Sequence, residues 1–140
     1  MEPQFLLDTN VVSELARPRP DARVVTFIAG ATRFAVSVML FHELLYGCEA
    51  LSDPAQQVRL TRFVTETRNR FGPEALPITL EVAETAARLR AHAKKQGRIL
   101  TVADALIAAT VVNHGLTLAT RNDRDFVDLN VRIFNPFEAA

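Results

Sequence analysis

A parallel β-sheet covered by helices is the architecture that this 140-residue chain predicts. Short apolar runs alternate with longer stretches of helical periodicity, the pattern of repeated β–α units. Glycine and proline close the helical stretches, at Gly72-Pro73, Gly97 and Gly115. With 49% hydrophobic residues the chain is rich enough for one ordinary domain with a full core, so residues 1–140 read as a single domain. No repeat, low-complexity segment or interdomain linker interrupts it.

Phe5 to Leu7 reads as the first strand. Asn10 to Ala16 follows as a short helix stopped by Pro18 and Pro20, and Asp21 is placed to cap a second helix over Ala22 to Ala29. Phe34 to Val38 is a strand by its apolar run, continued by a helix from Met39 to Leu51. Pro54 opens a third long helical stretch that reaches Arg70, and Leu76 to Thr79 reads as a brief strand. Glu81 to Gln96 carries Val82, Ala86, Leu89 and Ala93 at helical spacing, with Arg88, Arg90, Lys94 and Lys95 elsewhere, giving one packing face and one basic face. Gly97 terminates it. Val102 to His114 is a further helix ended by Gly115, and Leu116 to Thr120 and Val131 to Phe134 supply the last strands.

Charge and cysteine content narrow the function classes. Sixteen acids balance sixteen bases, so attraction to phosphate or membrane must be local rather than global. Fourteen of those bases are arginine, whose planar fork suits phosphate or carboxylate, although the codon bias of a GC-rich genome is the favoured explanation of such a preference. The single cysteine, Cys48, cannot form an internal disulfide and sits among leucines, as an inert buried thiol in a reducing compartment would. No stretch approaches the length of a membrane span and no secretory leader is evident. The expectation is a soluble, cytoplasmic protein.

The chemistry is concentrated in the acids. Asp8 directly follows the apolar Leu6-Leu7, which puts a carboxylate at the end of a buried strand, where open α/β sheets bind ligands. Glu43 interrupts an apolar helix between Phe41 and Leu44, and a buried lone carboxylate is costly unless paired, protonated or metal-bound. Asp104 follows Thr101 by the spacing of a capping box. Asp123 and Asp125 lie in the polar segment 120–126. Each has a duller explanation as a cap, an exposed stripe or a loop residue. Taken together they converge on one edge of a parallel sheet, where several carboxylates repel unless divalent cations neutralise them. Oxygen ligands without histidine or cysteine neighbours favour Mg2+ or Mn2+ over zinc, and such ions support phosphodiester hydrolysis. His42, among apolar neighbours, reads as a structural histidine rather than a base. His92 and His114 lack ligand spacing.

Leu6-Leu7-Asp8-Thr9-Asn10, Ser37-Val38 through His42-Glu43-Leu44, the run Thr101 to Thr110, and Leu118-Ala119-Thr120-Arg121-Asn122 resemble the four motif regions of PIN-domain ribonucleases. The similarity covers essentially the whole chain and includes the closing segment 131–137. It is strongest to the VapC toxins of toxin–antitoxin modules, in the subgroup that contains FitB. Each motif alone is only moderately specific; four in order and register are not.

The resemblance implies a three-layer α/β/α sandwich, a PIN-like fold around a parallel sheet. It further implies an Mg2+- or Mn2+-dependent endoribonuclease acting as a toxin, an RNA substrate, inhibition by a VapB- or FitA-like antitoxin, homodimerisation, and contact with operator DNA only through the antitoxin. Carried over by position, Asp8 and Asp104 are metal ligands, and Glu43 completes the triad. In the last motif Asn122, Asp123 and Asp125 all lie in range of the fourth acidic site, with Asp123 preferred. Thr9, Asn10 and Thr120 fall where small polar groups orient carboxylates or substrate, as do Asn122 and Asp125 if Asp123 is the ligand. Arg17, Arg19, Arg121 and Arg124 are candidate phosphate contacts. Leu40, Leu44, Phe63 and Val64 suit either a dimer interface or the core. A phosphoaspartate enzyme is a poor fit, because the only lysines are paired in one helix. A noncatalytic RNA-binding or protein-interaction module is the stronger rival.

Overall fold

A computed structural model describes residues 3–30 and 33–138. The elements run β1 (Phe5–Leu7), α1 (Thr9–Glu14), α2 (Ala22–Gly30), β2 (Phe34–Ala35), α3 (Val38–Glu49), α4 (Pro54–Phe71), α5 (Leu80–Lys95), α6 (Val102–His114), β3 (Thr117–Ala119) and β4 (Ile133–Phe134). Short 3₁₀ turns follow α4 and β3, at Gly72–Glu74 and Asp123–Phe126. The strands form one parallel sheet in the order β2-β1-β3-β4.

Alternation along these strands divides the core into two. Leu6, Ala35 and Leu118 face α5 and α6, packing on Val82, Ala86, Ala93, Ala105, Ile107, Ala108 and Ala109. Leu7, Val36 and Ala119 face the opposite way, toward Val11, Val12, Val24, Leu40 and Leu44 of α1, α2 and α3. Helices therefore cover both sides of the sheet, as the α/β reading requires. The second face is also aromatic: Phe27 stands edge-on to Phe5 at 5.1 Å between ring centres and lies 5.2 Å from Phe34 and 5.1 Å from Phe134.

The helices begin where hydroxyl and carboxylate side chains replace missing backbone acceptors. Ser37, Asp53, Thr79 and Thr101 cap α3 to α6, accepting from Met39, Ala55, Val82 and Asp104 N–H groups respectively. Asp21 likewise accepts from the Arg23 N–H at the start of α2, at 2.8 Å. Gly115 ends α6 with φ of 64°, a left-handed conformation that glycine adopts without steric cost.

Several element boundaries differ from expectation. The strand expected over Phe34 to Val38 stops at Ala35, because the Ser37 hydroxyl caps α3 and Val38 already belongs to that helix. The strand expected over Leu76 to Thr79 contracts to one bridge, in which Leu76 pairs beside Ser37 at the sheet edge. His42 is exposed, not a structural core histidine, since α3 buries Leu40, Leu44 and Cys48 on its other side. Leu40 and Leu44 are core, with Phe63 and Val64 partly buried against them. No described helix is long and apolar enough to cross a membrane.

Candidate active site

The switch in strand order puts the ends of β1 and β3 side by side, and the candidate site is built on that seam. β1 leads through α1 and α2 to β2 on one flank, while β3 leads to β4 on the other. The carboxyl ends of the two central strands border the crevice that such a switch creates. Asp8 follows β1 and Thr120 follows β3, both on backbone still held by the sheet: the Asp8 N–H donates to the Ala119 carbonyl at 2.9 Å.

Asp8 is only 5% exposed, yet both of its carboxylate oxygens accept hydrogen bonds. Its Oδ1 accepts from the Thr9 N–H at 2.8 Å, so it caps α1. Its Oδ2 accepts from the Thr120 hydroxyl at 2.8 Å and from the Asn10 amide at 3.3 Å. Capping leaves the second oxygen available to a different partner. Burial pushes this carboxyl above the usual aspartate range, against the pull of the Thr120 and Thr9 hydrogen bonds, and the Glu43 charge pushes it further up.

The neighbouring polar residues join the two strand ends. Asn10 uses both ends of its amide: Nδ2 also approaches Thr120 Oγ1 at 3.4 Å, while Oδ1 accepts from the Arg121 N–H at 3.0 Å. Thr120 accepts in turn from the Asn122 N–H at 3.0 Å. Thr9 donates its hydroxyl to Glu43 Oε1 at 2.8 Å, which ties α3 to the end of β1. Thr9, Asn10, Thr120 and Asn122 thus form one network around Asp8. No buried side-chain nitrogen or oxygen among the described residues is left without a hydrogen bond.

Asp104 approaches from α6. Its N–H is capped by the Thr101 hydroxyl at 3.1 Å, so its carboxylate projects from the first turn of the helix. It is half-buried and pushed up, first by desolvation, then by the charge of Asp8 and, more weakly, that of Asp125. Asp123 and Asp125 share the 3₁₀ turn after β3, and Asp125 is the one whose charge reaches Asp104.

Of the candidate arginines, Arg17 pairs with Glu14 at 3.6 Å, Arg121 stacks 4.7 Å over the Phe137 ring, and Arg19 and Arg124 are exposed. Glu14 escaped the sequence reading. It is buried and accepts the Asp21 N–H at 2.9 Å, fastening the proline-containing connection before α2. Its only sequence signal is an acid at the end of an apolar helical turn just before that connection.

The donor set has the chemistry of a hard-cation site. Asp8, Glu43, Asp104 and Asp125 offer oxygen alone, and burial first, then neighbouring negative charge, raises Asp8 and Asp104, an imbalance that a divalent cation would relieve. No three acid, histidine or cysteine side chains among the described residues form a ready cage. A cation such as Mg2+, which keeps several waters and needs only one or two carboxylates, fits that arrangement.

The PIN domain family pattern matches residues 5–131, nearly the whole chain. The chain belongs to the PIN domain family. Its members are similar along their full length: toxin FitB of Neisseria gonorrhoeae is 36% identical over 136 residues, covering 95% of this chain and 98% of FitB. The VapC ribonuclease Y4jK of Sinorhizobium fredii is 35% identical over 141 residues, covering 97% and 99%. The crystal structure of FitAcB from Neisseria gonorrhoeae superposes with a TM-score of 0.88 at 34% identity, over 97% of this chain and 100% of that one. The DNA-bound VapBC structure from Salmonella typhimurium superposes with a TM-score of 0.81 at 25% identity, over 96% of this chain and 99% of that one. Within the PIN domain family the protein is a VapC-type ribonuclease toxin of a toxin–antitoxin system.

Proposed function

We propose that this PIN domain toxin cleaves RNA endonucleolytically at the crevice between β1 and β3, with Asp8, Glu43 and Asp104 holding Mg2+ or Mn2+. The observation that carries the reading is the convergence of Asp8 and Asp104, far apart in sequence, on one sheet edge, close enough that the charge of one raises the other. When bound, the cation supplies an activated water and neutralises charge developing on the phosphate. Asp8 is held rigid by three hydrogen bonds, so its remaining lone pairs keep a fixed aim. Thr9 orients Glu43, and the Thr101 cap fixes the direction from which Asp104 enters. Asp125 supplies the fourth acid in preference to Asp123, because its charge is the one felt at Asp104. Burial around Asp8 excludes bulk water and strengthens each of these electrostatic contacts.

The working protein is a single cytoplasmic domain, a homodimer silenced by a VapB- or FitA-like antitoxin that also carries the complex to operator DNA. The test is cleavage of total cellular RNA by antitoxin-free protein, with Mg2+ or Mn2+ against a chelator, for wild type, Asp8→Asn and Asp104→Asn. Metal-dependent cutting lost in both folded variants is the expected result. A folded wild type that binds neither metal and cuts no RNA would leave a noncatalytic RNA-binding or protein-interaction module.

A further inference from the structure

All the cations between Thr85 and Ala103 stand without an acid among them: Arg88, Arg90, Lys94, Lys95 and Arg98. None of the ion pairs found among the described residues involves them. In a chain of zero net charge this is a concentrated positive patch, and it includes both lysines of the protein. Between the C-terminal half of α5 and the connection to α6 it borders a groove of about 460 Å3, lined by Ala87, Arg90, Ala91, Lys94, Arg98, Ile99 and Leu100. Cations at a helix C-terminus complement the helix dipole, which accounts for Lys94 and Lys95. It does not account for Arg90 in the body of the helix or Arg98 beyond its end, nor for Ile99, an isoleucine left 95% exposed beside them.

The groove lies at the same end of the molecule as the acids. Thr85 near the start of α5 bonds Asn113 near the end of α6, and Arg90 farther along α5 bonds Leu100 just before α6, so the two helices run antiparallel and the C-terminus of α5 accompanies the N-terminus of α6, where Asp104 sits. Arg90 donates to the carbonyl of Leu100 at 3.2 Å, and the next residue, Thr101, caps α6 through the Asp104 N–H. On the other wall Arg98 donates to the Val127 carbonyl and His92 lies 3.2 Å from that of Asp128, so the groove also abuts the segment just after Asp125. Its walls therefore run into both sides of the acidic site.

We propose that this groove is a binding track for single-stranded RNA, gripping the backbone on one flank of the scissile phosphate and feeding it to the acids. The inference rests on the ribonuclease reading. An acidic pocket repels the polyanion it must cut, and an adjoining basic track compensates for that repulsion. Phosphates meet Arg90 and Lys94, while Ala87, Ala91 and Ile99 leave an apolar floor for base faces, which single strands expose and duplexes bury. A second copy of the chain is disfavoured, because a two-fold contact would set this patch against itself.

The test is fluorescence anisotropy with a labelled single-stranded RNA of about 20 nucleotides and one of about 4, over a salt series. Antitoxin-free Asp8→Asn protein in chelator keeps the RNA intact, and Ala91→Glu with Lys94→Glu is added to that background, with Lys94→Arg as a charge-preserving control. Neither position makes a side-chain hydrogen bond that folding needs, and thermal melting checks the fold. The double variant is expected to bind the long RNA about 10-fold more weakly and to lose roughly one to two units of salt slope, with a smaller change on the short RNA. Lys94→Arg should bind as the background does. Unchanged affinity and slope overturn the assignment, as does loss of self-association or antitoxin binding with RNA affinity intact. The two readings fail separately. A wild type that cuts no RNA sinks the nuclease while the anisotropy still judges the groove, and cutting that ignores the groove variants sinks the groove alone.

Discussion

Asp8 and Asp104 face the same crevice but are held in opposite ways. Asp8 is nearly inaccessible and grips three donors, two from α1 and one from the end of β3. Asp104 is half-exposed and positioned mainly by its helix, through a cap on its own backbone N–H. The strand side of the site is thus prebuilt by side-chain bonds, whereas the helix side depends on where α6 begins. Both carboxyls are raised for the same reason, burial first and neighbouring negative charge second, so the contrast lies in geometry rather than in charge.

Removing either charge erases the contrast and should have the largest effect. Asp8→Asn and Asp104→Asn are each expected to lower metal-dependent RNA cleavage by about 10³-fold or more while circular dichroism stays native, since each removes a charge proposed to act directly on the cation. Retention of cleavage in either variant would remove that residue from the site. Thr120→Val separates the two sides: it strips a donor from Asp8 and an acceptor from the Asn122 N–H, leaving Asp104 untouched. A 10- to 100-fold loss in kcat and about 1–3 kcal/mol of stability are expected, read by kinetics and urea melts. If Thr120→Val matches wild type, the network around Asp8 does not orient it.

The last motif gives a smaller and sharper comparison. Asp125→Asn should reduce cleavage more than Asp123→Asn, roughly 10-fold against near neutrality, because Asp125 is the acid whose charge reaches Asp104. The reverse order would restore Asp123 as the fourth acid. The smallest effect is on stability against pH without metal. Raised carboxyls bind protons more tightly in the folded protein than in the unfolded chain, so their ionisation costs stability at neutral pH. That cost is recovered as pH falls from their raised values toward the ordinary 3.8. Asp21, held down to about 2 by Arg23, acts with the opposite sign below 3.8, and solvent screening of this partly exposed pair keeps that contribution small. The Tm of Asp8→Asn should therefore change less with pH than that of wild type between about pH 7 and pH 4 in chelator, and added Mg2+ should shrink the difference. Parallel curves would show that Asp8 pays no ionisation cost.

Much of this was legible because the informative residues sit at element ends. Asp8 after Leu6-Leu7 and Asp104 after Thr101 were readable from strand-end and cap chemistry, and the helix stops at Gly97 and Gly115 from backbone freedom alone. What misled was apolar runs that suit two structures: Ala35 to Val38 looks like a strand until Ser37 turns the chain into α3. His42 was misplaced for a related reason, since apolar neighbours in sequence are not neighbours on a helix face. Choosing between Asp123 and Asp125 needs the phase of a 3₁₀ turn, which no periodicity announces. The joint role of Asn10 and Thr120 was hidden because their bond connects residues 110 positions apart.

That separation has a consequence for when the toxin becomes dangerous. The hydroxyl that steadies Asp8 comes from a residue 112 positions later, and the strand carrying it lies between β1 and β4 in the sheet. A ribosome adding about 5–20 residues per second makes everything up to Asp104 several seconds or less before the segment that joins the strand ends has emerged. Until then the nascent chain has Asp8, Glu43 and Asp104 but no seam on which to assemble them. The site can therefore assemble only after the segment carrying Thr120 has been made and β3 has docked beside β1.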